Sequence, residues 1–510
     1  MVNWMISIFV CSITLVSYGQ DSSRPNVVYI LADDLGYGDV SVYNPESKLH
    51  TVNIDKLSER GVVFTDAHTS SAVCTPTRYG ILTGRYNWRS TLKQGVLSGF
   101  SKALIEPGRL TVASFLKDKG YSTGFVGKWH LGWDWAVRDE VDLDKLDLHP
   151  TVDYSKPIEN GPQSIGFTYS YGFSGSLDMA PYVYVENSVP TAIPTDSTVN
   201  RDSKGFWRKG LTAPDFEHIQ VLPHLTQKAA DYIEDQAETD RPFFLYLALP
   251  APHTPILPTK EFIGKSNTNF YGDFVLQVDH VVGTIMEKLE EIGQAGNTIF
   301  IFTSDNGCSP RANFKELASV GHYPSYIFRG HKADIYEGGH RVPFIVRWPE
   351  RIKTTQYSNE VICTTDLLAT LADLLGERLS DDEGEDSYSF LPVLNDEPIE
   401  GRLREATVHH SIEGRFALRQ DEWKLILWPG SGGWSPPMTA GGLDELPRYQ
   451  LYNLEKDPGE KTNLVAEYPD RVEAMKTLLA SYVTSGRSTP GKPQSNDGGS
   501  SWKQLEWMEQ

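Results

Sequence analysis

Four short stretches combine residue types that could do chemistry together. Asp33 and Asp34 end the apolar run RPNVVYIL (24–31) and its Ala32, and Asp305 and Asn306 follow a second such run, NTIFIF (297–302). Adjacent carboxylates at the C-terminal end of a buried strand repel unless a cation lies between them, and oxygen donors of this kind suit Ca²⁺ or Mg²⁺. A capped turn would explain Asp33 and Asp34 equally well alone. Lys128 and His130, two apart in GKWHLG (127–132), would face one way from an extended segment and offer a cation and a proton-transfer group. His253 lies between prolines in PAPHTP (250–255), a stiff loop after the run PFFLYLAL (242–249), as suits a catalytic acid. Cys74 begins CTPTRYGILTGR (74–85). Thr75 reads as an N-cap and Pro76 as the first helical position, with Arg78 one turn on, so an oxyanion could bind at the helix start. A buried cysteine beside an ordinary cap is the competing reading.

The elements that must position these groups can be read from hydrophobic periodicity. Buried strands are expected at 24–31, 61–67, 121–126, 242–249 and 297–302, with 344–348 closing the main sheet. Helices are expected at 53–60, 111–119, 225–235, 273–292 and 365–375, so strands and helices alternate as in an α/β sheet. After the acidic turn at 380–386 come short strands at 406–411, 416–419 and 423–427 and a last helix over 468–482. The Gly- and Trp-rich stretch 428–446 is either a sugar-facing loop or a connection. Ser176 and Asp178, in the rim loop 169–187, are candidate contacts to a bound group or ordinary loop polar residues.

Composition narrows the partners. With 510 residues, 47 Lys and Arg against 67 Asp and Glu and a net charge of −20, the chain is long enough for a large core and a second domain. Its charge argues against a nucleic-acid or anionic-membrane partner. Residues 1–19 read as a signal peptide that takes Cys11 with it, and no other segment is apolar enough to span a membrane. The three remaining cysteines leave at least one unpaired. No Asn-x-Ser/Thr sequon occurs, which favours a bacterial periplasm or secretion from bacteria.

The motif C-T-P-T-R with the following T-G-R resembles the signature of the type I, formylglycine-dependent sulfatases of the alkaline phosphatase superfamily. GKWHLG (127–132), the segment RGHKADIYEGGHRVP (329–343) and LYNLEKDP (451–458) resemble further blocks of that family, in family order. The resemblance implies an alkaline-phosphatase-like fold, a large mixed α/β sheet flanked by helices, with a smaller C-terminal α+β subdomain carrying an antiparallel sheet. It divides the chain into a catalytic unit over 20–390, the subdomain over 391–485 and a flexible tail over 486–510.

The resemblance also implies a sulfatase, and the signal peptide, the rim aromatics and the Gly/Trp-rich stretch point to a sulfated carbohydrate as its substrate. Cys74 would be converted by a formylglycine-generating enzyme to 3-oxoalanine, and Ca²⁺ would be bound by Asp33, Asp34, Asp305, Asn306 and residue 74. Lys128 and Lys332 would bind the substrate, Arg78 would orient the nucleophile, His253 would be the acid and His130 the base. The alternatives are a phosphonate or phosphate ester hydrolase of the same superfamily, a non-catalytic glycan-binding protein and a Ca²⁺-stabilised structural protein.

Overall fold

Asn26–Asp33 is buried along its whole length, because its β-branched and aromatic side chains leave no polar face for water. In the computed structural model, which describes residues 24–137, 151–439 and 441–508, this strand lies inside a ten-stranded mixed sheet. The order across the sheet is Gln356–Ser358, Gly61–Phe64, Phe344–Arg347, Thr298–Ser304, Asn26–Asp33, Phe243–Pro252, Ser122–Lys128, Tyr169–Phe173, Val185–Glu186 and Val189–Pro190. The five strands from Thr298–Ser304 to Tyr169–Phe173 run parallel. Asp33, Lys128, His253 and Asp305 therefore sit at one edge of the sheet, where its parallel strands end.

Phe344–Arg347 does not close the sheet as expected. It runs antiparallel between Thr298–Ser304 and Gly61–Phe64, and Gln356–Ser358 forms the edge beyond. The amphipathic helices Val221–Ala237 and Phe270–Glu291 pack on Phe243–Pro252.

A second sheet of four antiparallel strands, Thr407–His410, Phe416–Gln420, Trp423–Ile426 and Gln450–Asn453, is covered by the helix Pro469–Ser485. Their shared core also takes Tyr86, Trp88 and Cys363 from the first unit. His410 is tied through its backbone to Ser70 and Ala72, so this sheet is joined to the segment leading into Cys74.

The tail, expected to be flexible, instead lies against the body of the molecule over residues 486–508. Asp497 and the Ser495 carbonyl satisfy the buried Arg85, Asn496 accepts from Arg89, and Leu505 and Trp507 enter the second core. Buried guanidinium groups require acceptors, and here the tail supplies some of them beside Glu385 and Asp386. The leader with Cys11 and residues 138–150 lie outside the described residues. Cys74, Cys308 and Cys363 are all buried free thiols. No helix among the described residues is long and apolar enough to cross a membrane.

Candidate active site

Cys74 is the first residue of the helix Cys74–Thr83, which is buried on every side. Thr75 is not the N-cap that its sequence suggests. The N-cap position is Val73, in an extended conformation, and no side chain caps the helix. Thr75 lies inside the first turn, where its hydroxyl accepts from the Leu97 N–H at 3.2 Å, and Pro76 falls at the third helical position. Burial pushes the Cys74 thiol up in pKa, against the pull of Lys128 and Lys332. An undissociated thiol is a poor nucleophile.

Arg78, one turn on, locks the carboxylate cluster. Its Nε and Nη2 donate to Asp305 Oδ2 at 3.0 and 2.7 Å, and its Nη1 donates to the Lys128 carbonyl at 2.9 Å. Lys128 Nζ meets Asp33 Oδ2 and Lys332 Nζ meets Asp34 Oδ1, both at 2.6 Å. Burial opposes the charge of Asp33, but Lys128, His253 and Arg78 hold its carboxyl well below the usual carboxylate range. Burial and the Asp33 charge push Asp305 up to about 6.

Asp33 and Asp34 each keep a second oxygen, whereas Asp305 uses both, its Oδ1 accepting the Asp34 N–H at 3.2 Å. Asp33 Oδ1, Asp34 Oδ2 and Asn306 Oδ1 are buried without a hydrogen-bond partner, while Asn306 Nδ2 donates to Asp34 Oδ1 at 2.7 Å. One donor atom each from Asp33, Cys74 and Asp305 lies within 4.8 Å of the others, as do donors from Asp33, Asp34 and His253. Orphaned hard oxygens in such a cluster fit a divalent cation of the Ca²⁺ or Mg²⁺ kind.

The two histidines are each fixed by a backbone carbonyl. His130 Nε2 donates to Leu97 O at 2.8 Å, leaving Nδ1 buried and unpartnered as the acceptor. His253 Nδ1 donates to the Thr254 carbonyl, and its Nε2 lies 3.7 Å from Asp34 Oδ2. Burial, with Lys128 beside His130 and Lys332 beside His253, lowers both pKa values and favours neutral rings. Asp34 (φ 65°) and His130 (φ 54°) adopt the left-handed backbone region, which non-glycine residues take at an energetic cost. The expected extended path from Lys128 to His130 therefore breaks at His130, and the two side chains reach different partners.

A sulfatase family model matches residues 25–377. The chain belongs to the sulfatase family. A model described as N-sulphoglucosamine sulphohydrolase, C-terminal, matches residues 330–484. An N-acetylgalactosamine-6-O-sulfatase of Bacteroides thetaiotaomicron is 35% identical over 91% of this chain and 94% of its own length. Human arylsulfatase A is 31% identical over 91% of this chain and 90% of its own. A solved structure described under the metabolism of multiple glycosaminoglycans by Bacteroides thetaiotaomicron superposes with a TM-score of 0.78. It is 33% identical and covers 90% of this chain and 99% of that one. This sulfatase is accordingly a sulfuric ester hydrolase with the fold of the alkaline phosphatase superfamily.

A cavity of about 480 Å³ opens above Cys74, and His130, His253, Ser176, Asp178 and Lys332 line it. Ser176 Oγ lies 3.4 Å from His253 Nδ1, and Asp178 is ion-paired with Arg208. Lys128, Asp33 and Asp305 stand behind the wall, fully buried. The sequence reading missed Phe206 and Arg208. They reach the sulfatase cavity from the region of the hairpin Asp196–Asn200/Trp207–Thr212, whose polar sequence carries no motif. Trp434 also lines the cavity, as the sugar-facing alternative for 428–446 anticipates. Its backbone N–H is held by Asp334, two residues from Lys332.

Proposed function

We propose that this sulfatase removes sulfate from a sulfated glycan outside the cytoplasm, using a formylglycine made from Cys74 and a Ca²⁺ held by Asp33, Asp34, Asp305 and Asn306. One observation carries the reading. A cysteine kept undissociated by burial lies at the floor of a cavity, beside buried lysines and carboxylates that have oxygens to spare. Such a thiol needs conversion before it can attack, and the oxygen donors match a hard cation.

When present, the two groups would supply a geminal-diol nucleophile and a Lewis acid for one sulfate oxygen. Lys332, on the cavity wall, would hold a second sulfuryl oxygen, and Lys128, held on Asp33 behind it, would add to the positive field. Arg78 would keep Asp305 in place and orient residue 74. To act as the acid, His253 would first have to be protonated on Nε2, the nitrogen 3.7 Å from Asp34, and that proton would then go to the departing alkoxide, while the unpartnered Nδ1 of a neutral His130 would take one from the nucleophile's side.

The substrate class follows from the cavity. Trp434 and Phe206 add aromatic side chains to its lining, and the volume suits the end of a sugar chain. Ser176 and Asp178, the latter with Arg208, would contact that sugar. Likeness to a Bacteroides N-acetylgalactosamine-6-O-sulfatase supports the glycan assignment and a bacterial enzyme.

Comparing matched esters of one oligosaccharide tests the proposal. Protein matured beside a formylglycine-generating enzyme is expected to release sulfate and to turn over the phosphate ester far more slowly. Preferred turnover of the phosphate or a phosphonate ester would make it a phosphorus-ester hydrolase of the same superfamily.

A further inference from the structure

Three cations line the cavity: Arg208, Lys332 and Arg311. Two of them are occupied. Lys332 is clasped by Asp34, and Arg208 by Asp178, which is the one acidic residue lining the cavity among the described residues. Arg311 is exposed and makes no ion pair among the described residues. Its guanidinium lies 5.5 Å from the centre of the Phe206 ring, and that of Arg208 lies 5.9 Å from the same ring.

The backbone beneath Arg311 is fixed. It sits on the short 3₁₀ turn Pro310–Ala312, whose Ser309 hydroxyl accepts the Arg311 N–H at 3.3 Å. The same loop accepts the Lys332 N–H on the Cys308 carbonyl at 3.0 Å. The outer guanidinium and the inner ammonium are therefore carried by one connected piece of backbone. On a chain of net charge −20, an uncompensated cation at a cavity wall is a local reversal of the long-range field. A planar guanidinium braced on an aromatic ring suits a carboxylate or sulfate, which it can bind through two parallel N–H bonds.

We propose that Arg311 is a specificity residue that binds a second anionic group of the substrate, so that the preferred glycan carries another sulfate or a uronate carboxylate near the ester in the site. The inference rests on the glycan reading above. Binding tests it apart from turnover. Calorimetry on Cys74→Ala protein compares a glycan bearing one sulfate with the same glycan bearing a second sulfate, and with one bearing a neighbouring uronate.

The doubly anionic glycan of one arm is expected to bind about tenfold more tightly than the singly sulfated one, as for a charge-assisted hydrogen bond at an exposed site. Arg311→Gln in the same background should erase that ratio, and Arg311→Lys should restore part of it. The arm that responds identifies the anion. Equal ratios with and without Arg311, or no binding of any of the three glycans, would overturn the proposal. Failure of the sulfatase mechanism would look different: matured wild-type protein would release no sulfate while the Arg311-dependent ratio persisted.

Discussion

Cys74 is 3% exposed, and burial raises its pKa although Lys128 and Lys332 stand nearby. The same low-dielectric surroundings make each unpartnered oxygen of Asp33, Asp34 and Asn306 expensive unless a cation meets it. Asn306 is the informative position, because replacing it removes a donor without stranding a buried charge. Adding Ca²⁺ should raise the melting temperature of the wild type. At a hundredfold excess over Kd the gain is about 2.7 kcal/mol. Asn306→Ala should respond much less at the same concentration in a thermal-shift titration. An equal response in both proteins would remove Asn306 from the cation site.

The carboxylate end of the sheet and the loop bearing Lys332 interlock. Gly307 N–H donates to the Gly339 carbonyl at 2.9 Å, and a Cβ at Gly307 would lie 1.8 Å from the Gly338 carbonyl oxygen. Gly307→Ala must therefore push Asp305 and Asn306 away from the loop that carries Lys332. It should cost about 1–3 kcal/mol in urea unfolding and lower kcat in sulfate release. Unchanged stability and rate would show that the two loops move independently. The acidic ends of these strands are legible in sequence because runs such as NVVYIL can only be buried strands, so the residues directly after them must lie at the sheet edge. Thr75 misleads because a Thr-Pro pair imitates a cap, whereas the extended Val73 holds the cap position two residues before it. The interior place of Phe344–Arg347 depends on Gly61–Phe64, far back in the chain, and local periodicity carries no such information. Phe206 and Arg208 escape a motif reading for the same reason, since tertiary packing alone brings them to the cavity.

Across the whole molecule, the second sheet is an extension of the site-bearing unit. It shares a core with Tyr86 and Trp88, and it delivers Ile412 and Trp434 to the cavity wall. His410 sits at this junction, packed against Phe416 and accepting from Asn87 at 3.3 Å. Burial, with Lys93 nearby, lowers its pKa to about 3 from the ordinary histidine value of 6.5. Between those values the folded protein therefore binds fewer protons than the unfolded chain. The stability that neutral His410 contributes is intact above pH 6.5 and is lost as pH falls toward 3, at roughly 1.4 kcal/mol per pH unit. His410→Gln should show a shallower decline in unfolding free energy between about pH 6.5 and 4 than the wild type, and parallel declines would contradict this. The central claim, that chemistry at residue 74 releases sulfate from a glycan, is tested most directly by free sulfate. The assay uses a panel of sulfated oligosaccharides with matured wild-type and Cys74→Ala proteins. The account predicts release from at least one glycan and none above background in the variant. Release that survives in Cys74→Ala, or no release from any glycan by protein carrying the aldehyde at position 74, would contradict it.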